Sequence, residues 1–207
     1  MTSGIQYEIQ PLFATPYFRA SIKDAITPEQ VAYVKNLKMV DNQENLISED
    51  LYIFNHPELK QMADAVQTTL DIYASEVLGI NASLYVTQSW SLVNKPGVGM
   101  HGHSHSNSLV SGSLYYAELP EPSSRMIFDR YNSYRRLELT PGKEKQNLFN
   151  TPMNVVVPKT HDVLLFPSEL THQVEPNTTQ LVRHSIAFNC FIKGDLGDYR
   201  DVSRLVL

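Results

Sequence analysis

The sequence has a single cysteine among its 207 residues, Cys190, so no intramolecular disulfide can form. Its neighbours, Ala187-Phe-Asn-Cys-Phe191, suit a buried strand position, and a reducing compartment is the natural setting. Long apolar runs are missing too: no segment approaches the roughly 20 residues of a membrane span. The opening Met1-Thr-Ser-Gly-Ile-Gln6 has neither the charged start nor the apolar stretch of a secretion signal. These absences predict a soluble, cytoplasmic protein. Positive charge is not in excess, because 17 basic residues face 22 acidic ones and the formal net charge is -5. That balance argues against general binding to nucleic acid or to an anionic membrane. There is no internal repeat and no low-complexity tract. At this length one domain over residues 1–207 is expected.

Helical signals gather near the N-terminus. Ile9 to Ala20 alternates apolar residues around Pro11 and Pro16, which suits a broken or edge strand that could also pair with a second copy in a homodimer. Thr27-Pro-Glu-Gln30 has the form of a capping box, with Val31, Val34 and Leu37 following at helical spacing. Leu59, Met62, Val66, Leu70, Tyr73 and Val77 keep a helical rhythm between Pro57 and Gly79. The helical flank is thus expected over about 27–79, and a jelly-roll core over about 83–193. In that core the pattern changes to short β-rich runs: Leu84 to Val93, Ser108 to Leu119, Arg125 to Phe128, Met153 to Val157, Asp162 to Phe166 and Leu181 to Ile192. The reading is a mainly β fold, a sandwich or jelly roll with N-terminal flanking helices. Asp129 to Pro152 is long for a connection and carries Arg130, Arg135, Arg136, Lys143 and Lys145, so a lid is expected there.

What the sequence does contain is histidine in a suggestive pattern. His101-Gly-His103-Ser-His105 places imidazoles at alternate positions, which project from one face of an extended strand. His172, at the end of Phe166-Pro-Ser-Glu-Leu-Thr-His172, offers a distant partner after a buried strand. A lone histidine is ordinarily solvated or hydrogen-bonded, and a histidine tract can take up zinc or nickel without any catalytic role. The distal partner argues against both. A mononuclear non-haem iron site needs three ligands on one face, leaving positions for a bidentate co-substrate and dioxygen. His103, His105 and His172 are the expected metal ligands, with His101 in reserve for either of the first two. The usual set is two histidines and a carboxylate. An imidazole in the carboxylate's place leaves the site one unit more positive and favours an anionic co-substrate.

Arg183 and Ser185 follow on one face of the last strand. A guanidinium fork with a neighbouring hydroxyl matches a carboxylate, such as the far end of 2-oxoglutarate. Tyr116, in Gly112-Ser-Leu-Tyr-Tyr116, offers a phenol for the same carboxylate, although a tyrosine there equally suits the core. Trp90, Ser91 and Asn94 are candidates to line the pocket, with Asn94 grouped among the co-substrate contacts.

Three stretches, His103-Ser-His-Ser-Asn-Ser-Leu-Val-Ser-Gly-Ser-Leu-Tyr-Tyr116, Leu164-Leu-Phe-Pro-Ser-Glu-Leu-Thr-His172 and Arg183-His-Ser-Ile-Ala-Phe-Asn189, together resemble the 2-oxoglutarate/Fe(II)-dependent oxygenases of marine bacteria and phages. Leu12-Phe-Ala-Thr-Pro16 extends the likeness toward the start. The resemblance implies a double-stranded β-helix related to that of prolyl hydroxylases, with the metal at its open end. It makes His172 the distal ligand and His103 the first. His105 sits where the wider superfamily has Asp or Glu, in the His-x-His form common in this branch. Arg183 and Ser185 become the 2-oxoglutarate carboxylate partners and Tyr116 the match to a co-substrate-binding tyrosine. The cofactors implied are Fe(II), 2-oxoglutarate and O2, with release of succinate and CO2 as a peptidyl, prolyl or small-molecule substrate is hydroxylated. If the gene is phage-borne, the place of action is the host cytoplasm. Two other readings stand beside this one: a three-histidine cupin-like dioxygenase independent of 2-oxoglutarate, and a non-catalytic metal-binding protein. Halogenation ranks below hydroxylation, because a histidine rather than Gly or Ala fills the carboxylate's place.

Overall fold

The computed structural model describes residues 6–130, 141–197 and 203–207. Residues 6–17 are irregular and exposed, interrupted by Pro11 and Pro16, so the strand expected over 9–20 shrinks to β1, Phe18–Ser21. Helix α1, Pro28–Lys35, begins as its capping box requires. The Gln30 amide donates to the Thr27 hydroxyl at 3.3 Å, and the Thr27 amide donates to the Gln30 side chain at 2.9 Å. A hairpin that the sequence reading left out comes next: β2, Met39–Asn42, and β3, Asn45–Ser48. Its two-residue turn holds Gln43 at φ 57°. Helix α2, Lys60–Ile72, follows the turn Pro57–Leu59, passes into a wider helical turn over Tyr73–Leu78 and stops at left-handed Gly79.

The remaining strands are β4, Ser83–Asn94; β5, Met100–His103; β6, Val110–Leu114; β7, Met126–Asp129; β8, Met153–Val156; β9, Asp162–Pro167; β10, His172–Val174; and β11, Arg183–Lys193. A small hairpin, β12 at Asp195–Leu196 with β13 at Leu205–Val206, closes the chain. The larger sheet runs β1-β9-β6-β11-β4-β3-β2 and the smaller β5-β10-β7-β8. Along the chain from β4 to β11 the path therefore crosses between the sheets repeatedly, and every pairing among these strands is antiparallel. This is the expected jelly roll, a double-stranded β-helix with helices on one flank. β1 caps one edge of the larger sheet, where Arg19 bonds the buried carboxylate of Asp162 on β9.

Strand alternation builds two cores. On β9, Val163 and Leu165 face the helices and join Val34, Met62, Val66 and Leu70, whereas Leu164 and Phe166 face the smaller sheet and meet Met126, Phe128 and Val156. The strand is apolar from Val163 to Phe166 because both faces are covered there. At Gly112 on β6, an added Cβ would lie 2.2 Å from the Phe188 ring of β11, so the two strands close only over a residue without a side chain. No helix among the described residues is long and apolar enough to cross a membrane. In the expected lid, Arg135 and Arg136 lie outside the described residues. The described stretch 141–152 contains turns at Lys143–Lys145 and over 148–150 and does not line the cavity discussed next.

Candidate metal centre and co-substrate pocket

His103 ends β5 and His172 begins β10, and the two are direct cross-strand partners. Their rings lie 4.5 Å apart, centroid to centroid. His105 lies just past the end of β5, where its backbone amide donates to the carbonyl of Ser168 at 2.9 Å. That bond turns its ring to within 5.0 Å of His103 and 5.2 Å of His172. One ligand nitrogen from each of the three falls within 4.8 Å of the others, close enough for a single ion to be held among them. The strand stops at His103, so simple alternation does not carry through to His105; the turn after the strand does the remaining work.

The tautomers are set by backbone. Nδ1 of His103 lies 2.8 Å from the carbonyl oxygen of His101, and Nδ1 of His172 lies 3.0 Å from that of Leu170. A carbonyl only accepts, so each Nδ1 carries the proton and each Nε2 presents a lone pair. Burial pushes His172 down to about 4, aided by the neighbouring imidazoles and opposed by the Leu170 bond. Burial and then His103 likewise lower His105 to about 4. Both are neutral near pH 7, the form that ligates. His101 turns away, with Nδ1 3.4 Å from a carboxylate oxygen of Glu44, and is not in the cluster. Three imidazoles with no carboxylate among them suit a borderline divalent ion such as Fe(II).

A partly open cavity of about 210 Å³ runs from these histidines to Arg183. Trp90 and Asn94 line it as expected, while Ser91 lies on the opposite face of β4. Arg183 is 3% exposed. Its Nη1 sits 3.5 Å from the Asn94 side-chain oxygen Oδ1 and 3.4 Å from the Ser185 hydroxyl, and its Nε has no partner. No ion pair reaches it among the described residues. A buried guanidinium so poorly matched is costly unless an anion completes it.

The tyrosine assignment needs correction. Tyr116 packs in the helix-side core with its ring 6.3 Å from His184, on the far side of the sheet from Arg183. Burial raises its phenol to about 12. Tyr115 is the residue that faces Arg183, whose guanidinium carbon lies 5.2 Å from its ring centre, and its buried hydroxyl is unpartnered. The choice between adjacent tyrosines is a matter of strand parity, and Arg183 and Ser185 on the neighbouring β11 carry the parity signal. Sequence reasoning also missed Asn42, Asn45 and Ile47, which the β2–β3 hairpin brings to the cavity wall. Unpartnered buried donors beside Arg183, and three convergent imidazoles at the other end, fit a keto diacid stretched between carboxylate anchor and metal.

The family described as "Putative 2OG-Fe(II) oxygenase" matches residues 88–189, the stretch from β4 to β11 that supplies all three histidines and Arg183. No curated protein matches the chain. Among solved structures, a 2OG-Fe(II) oxygenase family oxidoreductase from Burkholderia pseudomallei is similar at 11% identity, covering 84% of this chain and 83% of that one with a TM-score of 0.59. HygX from Streptomyces hygroscopicus, solved with nickel, 2-oxoglutarate and hygromycin B bound, is similar at 14% identity, 85% and 82% coverage and a TM-score of 0.59. A Pseudomonas putida prolyl-4-hydroxylase is similar at 14% identity, 84% and 92% coverage and a TM-score of 0.53. At these identities the likeness is one of fold. With the family match laid over the triple-histidine cavity, residues 88–189 form a 2OG-Fe(II) oxygenase core, the working part of an enzyme that depends on Fe(II) and 2-oxoglutarate.

Proposed function

We propose that this oxygenase hydroxylates a C–H bond of a small-molecule or peptidyl substrate, with His103, His105 and His172 holding Fe(II) and with Arg183, Ser185 and Tyr115 holding the far carboxylate of 2-oxoglutarate. The observation that carries the reading is the buried, ion-pair-free Arg183 at the opposite end of one cavity from three convergent imidazoles. The overall change balances as substrate plus 2-oxoglutarate plus O2 giving hydroxylated substrate, succinate and CO2. Bound Fe(II) supplies the redox centre at which O2 is reduced. The chain's own share is to orient the keto diacid by its distal carboxylate, to keep His105 and His172 neutral by burial, and to exclude water with Phe128 and Phe166 around His172. Asn94 belongs to this seat through its contact with Arg183. Both substrate classes have counterparts of the same fold: one neighbour holds hygromycin B and another is a prolyl-4-hydroxylase. The acidic balance argues against a nucleic-acid substrate, and a lone buried thiol at Cys190 suits the cytoplasm.

The test is anaerobic titration of the metal-free protein with Fe(II) and then 2-oxoglutarate. A visible metal-to-ligand absorption band on adding 2-oxoglutarate is expected, lost in His172→Ala and much weakened in Arg183→Ala. A wild-type protein that takes up Fe(II) but gives no band, or an Arg183→Ala variant that binds 2-oxoglutarate normally, overturns the assignment.

A further inference from the structure

The β2–β3 hairpin reaches the cavity by way of two asparagines. Asn42 and Asn45 are the cross-strand pair that closes the hairpin, and the Asn42 side-chain amide donates to the Asn45 side-chain oxygen at 2.9 Å. That bond fixes the Asn45 amide with its nitrogen turned the other way. Asn45 is 5% exposed, lines the cavity, and its Nδ2 is buried with no partner. A buried amide donor without an acceptor is expensive, and nothing in the hairpin needs it.

The register shows what the donor faces. Leu46 of β3 pairs with Val93 of β4, which brings Asn45 level with Asn94, and Asn94 in turn pairs with Arg183 of β11. Asn45, Asn94 and Arg183 therefore form one row across three neighbouring strands, beside the same cavity. Three buried donors there lack acceptors: Asn45 Nδ2, Tyr115 Oη and Arg183 Nε. A carboxylate has lone pairs enough for all of them. We propose that Asn45 is a co-substrate-binding residue that donates from Nδ2 to the distal carboxylate of 2-oxoglutarate, oriented for this by Asn42. The inference rests on 2-oxoglutarate being the co-substrate, and it gives the hairpin between the two helices a direct part in selecting a keto diacid over a keto monoacid.

The experiment compares wild type, Asn45→Ala and Asn45→Asp, each loaded anaerobically with Ni(II), for binding of 2-oxoglutarate and of pyruvate, which shares the keto-acid end but has no distal carboxylate. Losing a hydrogen bond to a charged group should raise the 2-oxoglutarate Kd about tenfold or more in Asn45→Ala. Asn45→Asp, which replaces the donor with a like charge, should lose more. Pyruvate and Ni(II) affinities should stay at the wild-type level. Unchanged 2-oxoglutarate binding in Asn45→Ala overturns the proposal and assigns the donor to another occupant. An equal loss for pyruvate or for Ni(II) overturns it as well, because the effect is then on the metal end or the fold. If wild type itself binds no 2-oxoglutarate, the co-substrate reading fails and this inference with it, an outcome distinct from the other two.

Discussion

At the scale of single residues, the site depends on polar atoms whose partners are missing or fixed. The backbone carbonyls of His101 and Leu170 hold protons on two Nδ1 atoms, so the metal end is prepared by main chain. The end proposed for the carboxylate is lined by side chains whose buried donors lack an acceptor. Parity then separates two adjacent phenols. Tyr115→Phe should weaken 2-oxoglutarate binding about tenfold or more, since a hydrogen bond to a carboxylate is worth about 1.5–3 kcal/mol. Tyr116→Phe should leave it unchanged, because that ring lies in the helix-side core. Anaerobic titration of both variants reads the difference directly, and equal effects would mean that the face assignment of Tyr115 and Tyr116 is wrong.

Among the elements, β11 sets the frame, because it pairs with β6 through Ile186–Cys190 and sets Arg183 and Ser185 opposite Asn94 and Leu92 of β4. The close approach of β6 to β11 depends on Gly112. A methyl group there would meet Phe188 Cζ at 2.2 Å, Phe188 Cε2 at 2.4 Å and Leu165 Cδ2 at 2.9 Å. Gly112→Ala should therefore destabilise the fold by about 1–3 kcal/mol, the usual cost of overpacking, as measured by the midpoint of urea unfolding. Helix α1 and the two-part helix that includes α2 were legible in the sequence because capping and periodicity are local signals. The hairpin between them was not, since its four-residue strands are too short to show a period and its turn lacks glycine.

For the whole molecule, the larger sheet carries helices on one face and the reactive cavity on the other, so groups on the two faces titrate in different surroundings. His184 is on the helix side, between Tyr116 and the charge of Lys35. Burial and then Lys35 hold it below its ordinary value of 6.5. The unfolded chain therefore takes up this proton first as pH falls. Stability from His184 is whole above pH 6.5 and declines below it, toward the lowered folded value. Replacing His184 with Gln should flatten the fall in unfolding free energy between pH 7.5 and pH 5.5, by at most about 1.4 kcal/mol per pH unit for a single proton. Urea titrations of the metal-free protein at stepped pH measure it, and identical slopes for the variant and wild type would contradict it.

The sequence by itself determined the class of chemistry and most of the elements: the histidine spacing, the Arg183–Ser185 alternation, the capping box at Thr27 and the short apolar strands are all readable within a few residues of one another. Tertiary structure decided what depends on register between distant strands. It set His103 opposite His172, turned His105 inward through Ser168, sent His101 to Glu44, chose Tyr115 over Tyr116 and carried Asn45 into the row with Arg183. The physical reason is that a strand's pattern tells which residues share a face, whereas only pairing with a distant strand tells which face looks into the cavity.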